Sequence, residues 1–171
     1  MKKYFLSLFV LIIFFGCTNP NPKTKINFNP NTTPNNNSNN TNAGDAKDAI
    51  ATVEAFLNFN VNKKTEILSS LISDDPETVM FGAGATLWKG KETIIKNLTK
   101  GIEDVDDCNF SFRDQSMQIA GNIAWFSERG DWSYDYKGQR VDLKGLRISG
   151  VLRNENGKWV IVQWHTSIPA R

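Results

Sequence analysis

From residue 45 onward the apolar positions first fall at three- and four-residue intervals. Ala46, Ala49, Ile50, Val53, Phe56 and Leu57 line one face of a predicted helix, with Asp45 placed as its N-cap. A second, shorter helix is predicted over 63–72, where Ile67, Leu68, Leu71 and Ile72 are apolar. It stops at Asp74-Asp75-Pro76, because proline cannot continue a helix and restricts the residue before it. A short strand over 78–82, a Gly-Ala-Gly turn and the segment 86–90 come next, followed by a third helix over 91–102 with Ile94, Ile95, Leu98 and Ile102 on one stripe. Beyond that helix the period becomes two. Segments 109–119, 123–134, 140–153 and 158–167 are rich in aromatic and β-branched residues. They are separated by Gly121-Asn122, Lys137-Gly138 and Asn154-Glu155-Asn156-Gly157, which are hairpin-turn sequences. Helix, helix, strand, helix and a long meander make an α+β order, without the βαβ alternation of a parallel sheet.

The first 44 residues follow neither period. Lys2 and Lys3 lead into an apolar run from Tyr4 to Phe15, too short to span a bilayer comfortably and read as an export signal. The run ends in Phe14-Phe15-Gly16-Cys17, a small residue directly before a cysteine, which resembles the lipobox of bacterial lipoproteins; Phe14 stands where leucine is usual. Residues 1–17 are thus read as a lipoprotein signal segment and Cys17 as the lipidation site. Each buried CH₂ contributes about 0.8 kcal/mol, so two or three acyl chains hold a protein on a membrane almost permanently. Residues 18–44 are mostly Asn, Thr and Pro, with Ile26 and Phe28 as the only large apolar side chains, too few to offset the entropy of ordering. They are expected to form a disordered tether holding the 45–171 domain roughly 30 Å from the bilayer. The expected location is the cell envelope, on the exported side of a bacterial membrane.

Composition narrows the partners. With 40% apolar and 11% aromatic residues, a chain of 171 residues supports one core. The formal charge of +2 misleads, because Lys2, Lys3, Lys23 and Lys25 all precede residue 45 and leave 16 basic against 18 acidic residues in the domain. A domain without a basic patch is not expected to bind nucleic acid. Of the two cysteines, Cys17 would be consumed by lipid, so Cys108 is expected to stand alone, as a small residue near a strand start with no intramolecular disulfide. The acidic run Glu103-Asp104-Val105-Asp106-Asp107 lacks the glycine and spacing of a calcium loop, and one histidine is too few for a transition-metal site. Neither metal nor cofactor is expected.

Three strings carry a resemblance to a known family. FGAGATLWKGKETI (81–94), NIAWFSERGDW (122–132) and LRISGVLRNENGKWVIVQWHTSIP (146–169) resemble a glycine-punctuated stretch, an Ala-Trp-Phe strand and the closing hairpin of the SnoaL-like branch of the NTF2-like superfamily, which includes relatives of calcium/calmodulin kinase association domains. The resemblance covers about 45–169, and the closing hairpin is its most specific part. It implies a cone: a strongly curved antiparallel sheet wrapped around three N-terminal helices, with an open end forming a cavity and a convex face through which such domains dimerise. The superfamily holds isomerases, dehydratases, cyclases, transport factors and oligomerisation modules, so fold alone selects no function.

Cavity residues come from alternate strand positions. On the last strand Trp159, Ile161, Gln163, His165 and Ser167 alternate with Val160, Val162, Trp164 and Thr166; on the strand before, Arg147, Ser149, Val151 and Arg153 alternate with Leu146, Ile148, Gly150 and Leu152. The ligand-binding candidates are Arg147, Ser149, Gln163, His165 and Ser167 from the mixed faces, with Trp88 and Trp125. Arg147 could grip a ligand carboxylate with its planar fork, or bridge to Glu128 or Asp131 on the outer face. His165, the only histidine, falls in the His-x-Ser of the family pattern and could act as an acid or base, or simply hydrogen-bond Ser167 or the backbone. Trp125 and Trp159 are expected in the core and Trp164 on the convex face. Asp114, Glu128 and Asp131 are the carboxylates within reach of such a cavity, which leaves His165, Glu128 and Asp131 as the catalytic candidates. Three readings stay open: a small-molecule-binding lipoprotein that dimerises, an enzyme of the ketosteroid-isomerase type that moves a proton beside a carbonyl, and a partner-binding lipoprotein with a filled cone.

Overall fold

A computed structural model describes residues 43–83 and 86–169. The signal segment, Cys17 and nearly all of the tether lie outside the described residues. The chain forms α1 (Ala43–Asn62), a 3₁₀ turn (Thr65–Ile67) running into α2 (Leu68–Leu71), β1 (Val79–Phe81), β2 (Leu87–Lys89), α3 (Lys91–Gly101), β3 (Val105–Ala120), β4 (Ile123–Tyr136), β5 (Gln139–Glu155) and β6 (Lys158–Ser167). The strands make one six-stranded sheet in the order β2-β1-β6-β5-β4-β3, antiparallel throughout except where β1 lies parallel to β6. This is the α+β architecture expected.

The helices start and stop for local reasons. α1 begins at Ala43, so Asp45 sits inside its first turn, where a negative charge suits the helix dipole, and not at the cap. Lys63, with φ of 53°, turns the chain out of α1, and the expected second helix is reduced to the 3₁₀ turn and one α turn. Gly90, with φ of 80°, precedes α3, a conformation glycine adopts without strain. α1 lies across β3 and β6, and its Ala49, Val53 and Phe56 are fully buried. Ile94 and Leu98 of α3 are buried as its stripe requires. The helices therefore cover one face of the sheet, and the core lies between them.

Directly opposed residues in neighbouring strands share a face. The rows Phe126–Gly150–Trp164 and Glu128–Ile148–Thr166 lie on the inner, helix-covered face, and all six residues are buried. The rows Trp125–Val151–Gln163, Ser127–Ser149–His165 and Arg129–Arg147–Ser167 lie on the outer face. Trp159 packs in the core as expected. Two other tryptophans are exchanged relative to expectation: Trp164 is fully buried, its ring 4.5 Å from Phe56 and 5.1 Å from Phe126, whereas Trp125 is 39% exposed on the outer face.

The exchange of Trp164 has a single cause, a β-bulge. Leu152 opposes Ile161 while Val151 opposes Gln163, so Val162 is an extra residue in β6. Before the bulge Trp159 and Ile161 point inward; after it Trp164 and Thr166 do. Unbroken alternation would have put the two tryptophans on opposite faces.

Cys108 also departs from expectation. It is buried, takes a hydrogen bond from Trp132 Nε1 at 3.1 Å, and is disulfide-bonded, where a lone thiol was expected. Its bonding partner lies outside the described residues. Disulfides form and persist in oxidising compartments.

Candidate functional site

The inner face is apolar except at a few points, and Glu128 is the carboxylate among them. It sits mid-strand in β4, 2% exposed. Along its strand Phe126 precedes it and Gly130 and Trp132 follow on the same face. Phe126 belongs to one aromatic group with Trp164 and Phe56, and Trp132 to another with Phe110 and Tyr134. Two glycines admit these rings. A Cβ on Gly150 would meet Phe126 Cε1 at 2.6 Å, and one on Gly130 would meet Phe112 Cδ1 at 2.8 Å. Along β4, Glu128 thus lies on the inner face between Phe126 and Trp132, each of which belongs to an aromatic group.

Its hydrogen bonding is half complete. Gln115 Nε2 donates to Glu128 Oε2 at 3.0 Å, while Oε1 is buried without a hydrogen-bond partner. Burial pushes the Glu128 carboxyl up to about 7, and the Gln115 hydrogen bond opposes that rise. A carboxyl poised there is part neutral and part ionised at neutral pH, so it can donate a proton or accept one. Nearby, Trp164 Nε1 donates to Thr166 Oγ1 at 3.1 Å. On the helix side, buried Asn60 donates to the Phe56 and Leu57 carbonyls and keeps its own Oδ1 without a partner.

Of the catalytic candidates, only Glu128 stands on this face. Asp131 sits at a second bulge, between the pairs Gly130–Leu146 and Trp132–Leu143. It accepts the Gly145 N–H at 2.8 Å and pairs with Arg113 and Lys144, and the Gly145 hydrogen bond leads in holding its carboxyl below the usual range. That is a strand fastening. His165 lies on the outer face opposite Ser149, with the Phe81 ring edge-on at 6.2 Å. Asp114 is solvent-exposed and paired with Arg129.

The expected ligand-binding set is corrected in the same way. Arg147, Ser149, Gln163, Ser167 and Trp125 join His165 on the outer face, away from Glu128. Arg147 is exposed, opposed by Arg129 on one side and Ser167 on the other, so it cannot meet a ligand carboxylate inside the cone, nor bridge to the inward Glu128. The physical reason is general: the face that meets the helices is the more apolar one, and the mixed polar face turns to water. Trp88 alone of that set is on the inner side, opposite Met80 and packed against the core. Gln115, the partner of Glu128, was not singled out from sequence, because its direction depends on a bulge.

Two polar clusters away from this face are self-satisfied. At one end of the sheet a cleft of about 530 Å³ is lined by Asp75, Asn122, Arg153, Asn154, Glu155 and Asn156. In it Arg153 donates to Asp75, Glu155 and Ser73. The acidic run after α3 is neutralised by Lys137 on Asp104, Lys63 on Asp106 and Arg140 on Asp107. Among the described residues no group of His, Cys, Asp and Glu is arranged to hold a metal ion.

An open six-stranded sheet folded over helices, with one carboxyl buried on its inner face, defines the class of α+β cones. Residues 49–171 match the model of the SnoaL-like domain, and the chain belongs to that family. Solved structures carry the same fold. An NTF2-like superfamily protein from Salmonella enterica serovar Typhimurium aligns with a TM-score of 0.66 at 20% identity, over 76% of this chain and 95% of its own. A ketosteroid isomerase-like protein from Erwinia carotovora atroseptica gives 0.63 at 17% identity, over 76% and 100%. An NTF2-like protein from Cytophaga hutchinsonii gives 0.61 at 18%, over 75% and 99%. Among curated proteins no relative matches.

Proposed function

We propose that this chain is a membrane-tethered SnoaL-like lipoprotein whose inner sheet face holds a small molecule with an apolar body and one neutral oxygen group over Glu128. The observation that carries this reading is Glu128 itself: a buried carboxyl with one oxygen unpartnered, on a strand face it shares with Phe126 and Trp132. An unsatisfied buried acceptor costs about 1–3 kcal/mol, and a ligand hydroxyl or carbonyl would recover that by hydrogen bonding to the ionised or protonated form. A carboxylate ligand fits less well, because Glu128 would repel it and Arg147 faces outward. Exposed Phe81, Leu87 and Trp125 on the outer side support dimerisation through the sheet.

Thermal shift of the full-length chain with cyclohexanol, cyclohexanone and cyclohexanecarboxylate tests the site. The two neutral probes should stabilise the protein, the carboxylate should not, and Glu128→Gln should lose most of the effect. Equal shifts in both proteins would remove Glu128 from the site. A second reading, proton transfer beside a carbonyl, is favoured by the titration of Glu128 at about 7, near the operating range of a general base. Exchange of the α-protons of cyclohexanone into D₂O, followed by NMR, separates the two. Exchange abolished in Glu128→Gln supports catalysis, and exchange no faster than in buffer leaves binding alone.

A further inference from the structure

We propose that the bulge in β3 is a positioning device for Glu128: Asp114 and Arg129, joined on the outer face, hold the strand so that Gln115 reaches the carboxyl inside, and Gln115 thereby sets how readily Glu128 releases its proton. The inference rests on Glu128 being the working carboxyl of the inner face.

The register carries it. Arg113 opposes Arg129 and Ser116 opposes Ser127, so two residues of β3, Asp114 and Gln115, stand opposite the single Glu128. A regular ladder offers one residue there. The extra residue lets one side chain turn to solvent and its neighbour turn inward. Asp114 takes φ of 54°, a conformation that costs most residues about 1–2 kcal/mol and that aspartate tolerates better than most. Backbone of this kind persists only where its surroundings hold it.

Arg129 does the holding. Its Nε donates to Asp114 Oδ2 at 2.6 Å and its Nη2 donates to the same oxygen, a charge-assisted pair. Arg129 is the next residue after Glu128 in β4, so the outer fastening and the inner hydrogen bond are one residue apart in both strands. On the inner side Gln115 Nε2 meets Glu128 Oε2 at 3.0 Å. A neutral amide donor favours the ionised carboxylate without cancelling its charge, which offsets burial while leaving Oε1 open to a ligand.

The test is the titration of Glu128 in the full-length chain, with glutamate carboxyls labelled with ¹³C and the Glu128 signal assigned by its absence in Glu128→Gln. Gln115→Met removes the amide at similar length and should move the midpoint up by about one pH unit. Arg129→Gln breaks only the outer pair, on a side chain that is well exposed, and should move the midpoint in the same direction by less. A purely structural pair would lower the melting temperature and leave the midpoint where it was. An unmoved midpoint in folded Gln115→Met overturns the proposal; should that variant not fold, an unmoved midpoint in Arg129→Gln does so. Midpoints that move while wild type binds neither cyclohexanol nor cyclohexanone would keep the positioning device and remove the proposed function. Unmoved midpoints with binding intact would do the reverse.

Discussion

At the scale of single residues, Glu128 makes the stability of this protein depend on pH. Its carboxyl titrates at about 7 in the folded chain against an ordinary 4.5, so between those values the folded state binds more protons than the unfolded one. Stability therefore falls as pH rises through that window. The contribution is fully present below the unfolded value and lost above about 7, a difference of about 3 kcal/mol. Glu128→Gln should abolish it: urea unfolding should find the variant more stable than wild type by roughly that amount at pH 8, with the gap closing near pH 4. A variant as pH-dependent as wild type would show that this carboxyl is not desolvated. From sequence, Glu128 stood level with Asp131 and His165. Only cross-strand partners separate them, since Asp131 is occupied by the Gly145 amide and His165 faces outward.

At the scale of elements, period-two patterning and turn residues located every strand of the meander, and β6 runs over Lys158–Ser167 as the pattern requires. Bulges are where that reading failed. A bulge is a relation between two strands, two residues against one, and nothing in either strand alone announces it. The extra Val162 reversed the expected face of Trp164, and the pair Asp114 and Gln115 brought an unremarked glutamine to Glu128. The inner face also depends on its glycines. In Gly150→Ala the added methyl would meet Phe126 Cε1 at 2.6 Å and the Gln163 carbonyl oxygen at 2.7 Å. The ring can turn but the backbone oxygen cannot, so the substitution should cost about 1–3 kcal/mol, read as a lower urea midpoint. A loss of only a few tenths would mean that the two strands separate there without strain.

At the scale of the whole molecule, the anchor and the outer face act together in the proposed function. Cys17→Ser should release the chain from the membrane fraction, and retention would contradict lipidation. Sedimentation of the released protein should then show a dimer that Trp125→Glu dissociates, because that ring is 39% exposed on the outer face. A monomer before substitution would remove the sheet-to-sheet reading. Intact mass adds a second check: with two cysteines in the chain, a disulfide at Cys108 within it and a thioether at Cys17 exclude each other. A mass that carries acyl chains supports the anchor, and a mass two hydrogens below that of the reduced, unlipidated chain removes it.

Composition, period and turn chemistry by themselves determined an α+β order of elements and its helical stripes, because these are written in neighbouring residues along the chain; the family came instead from the resemblance of three strings, 81–94, 122–132 and 146–169. The direction in which the polar side chains point was decided by tertiary structure. The helices claim the more apolar face and turn Arg147, His165 and their neighbours to solvent. Strand register then leaves a single carboxyl of the former candidates inside, because facing is a property of paired strands and not of either sequence alone.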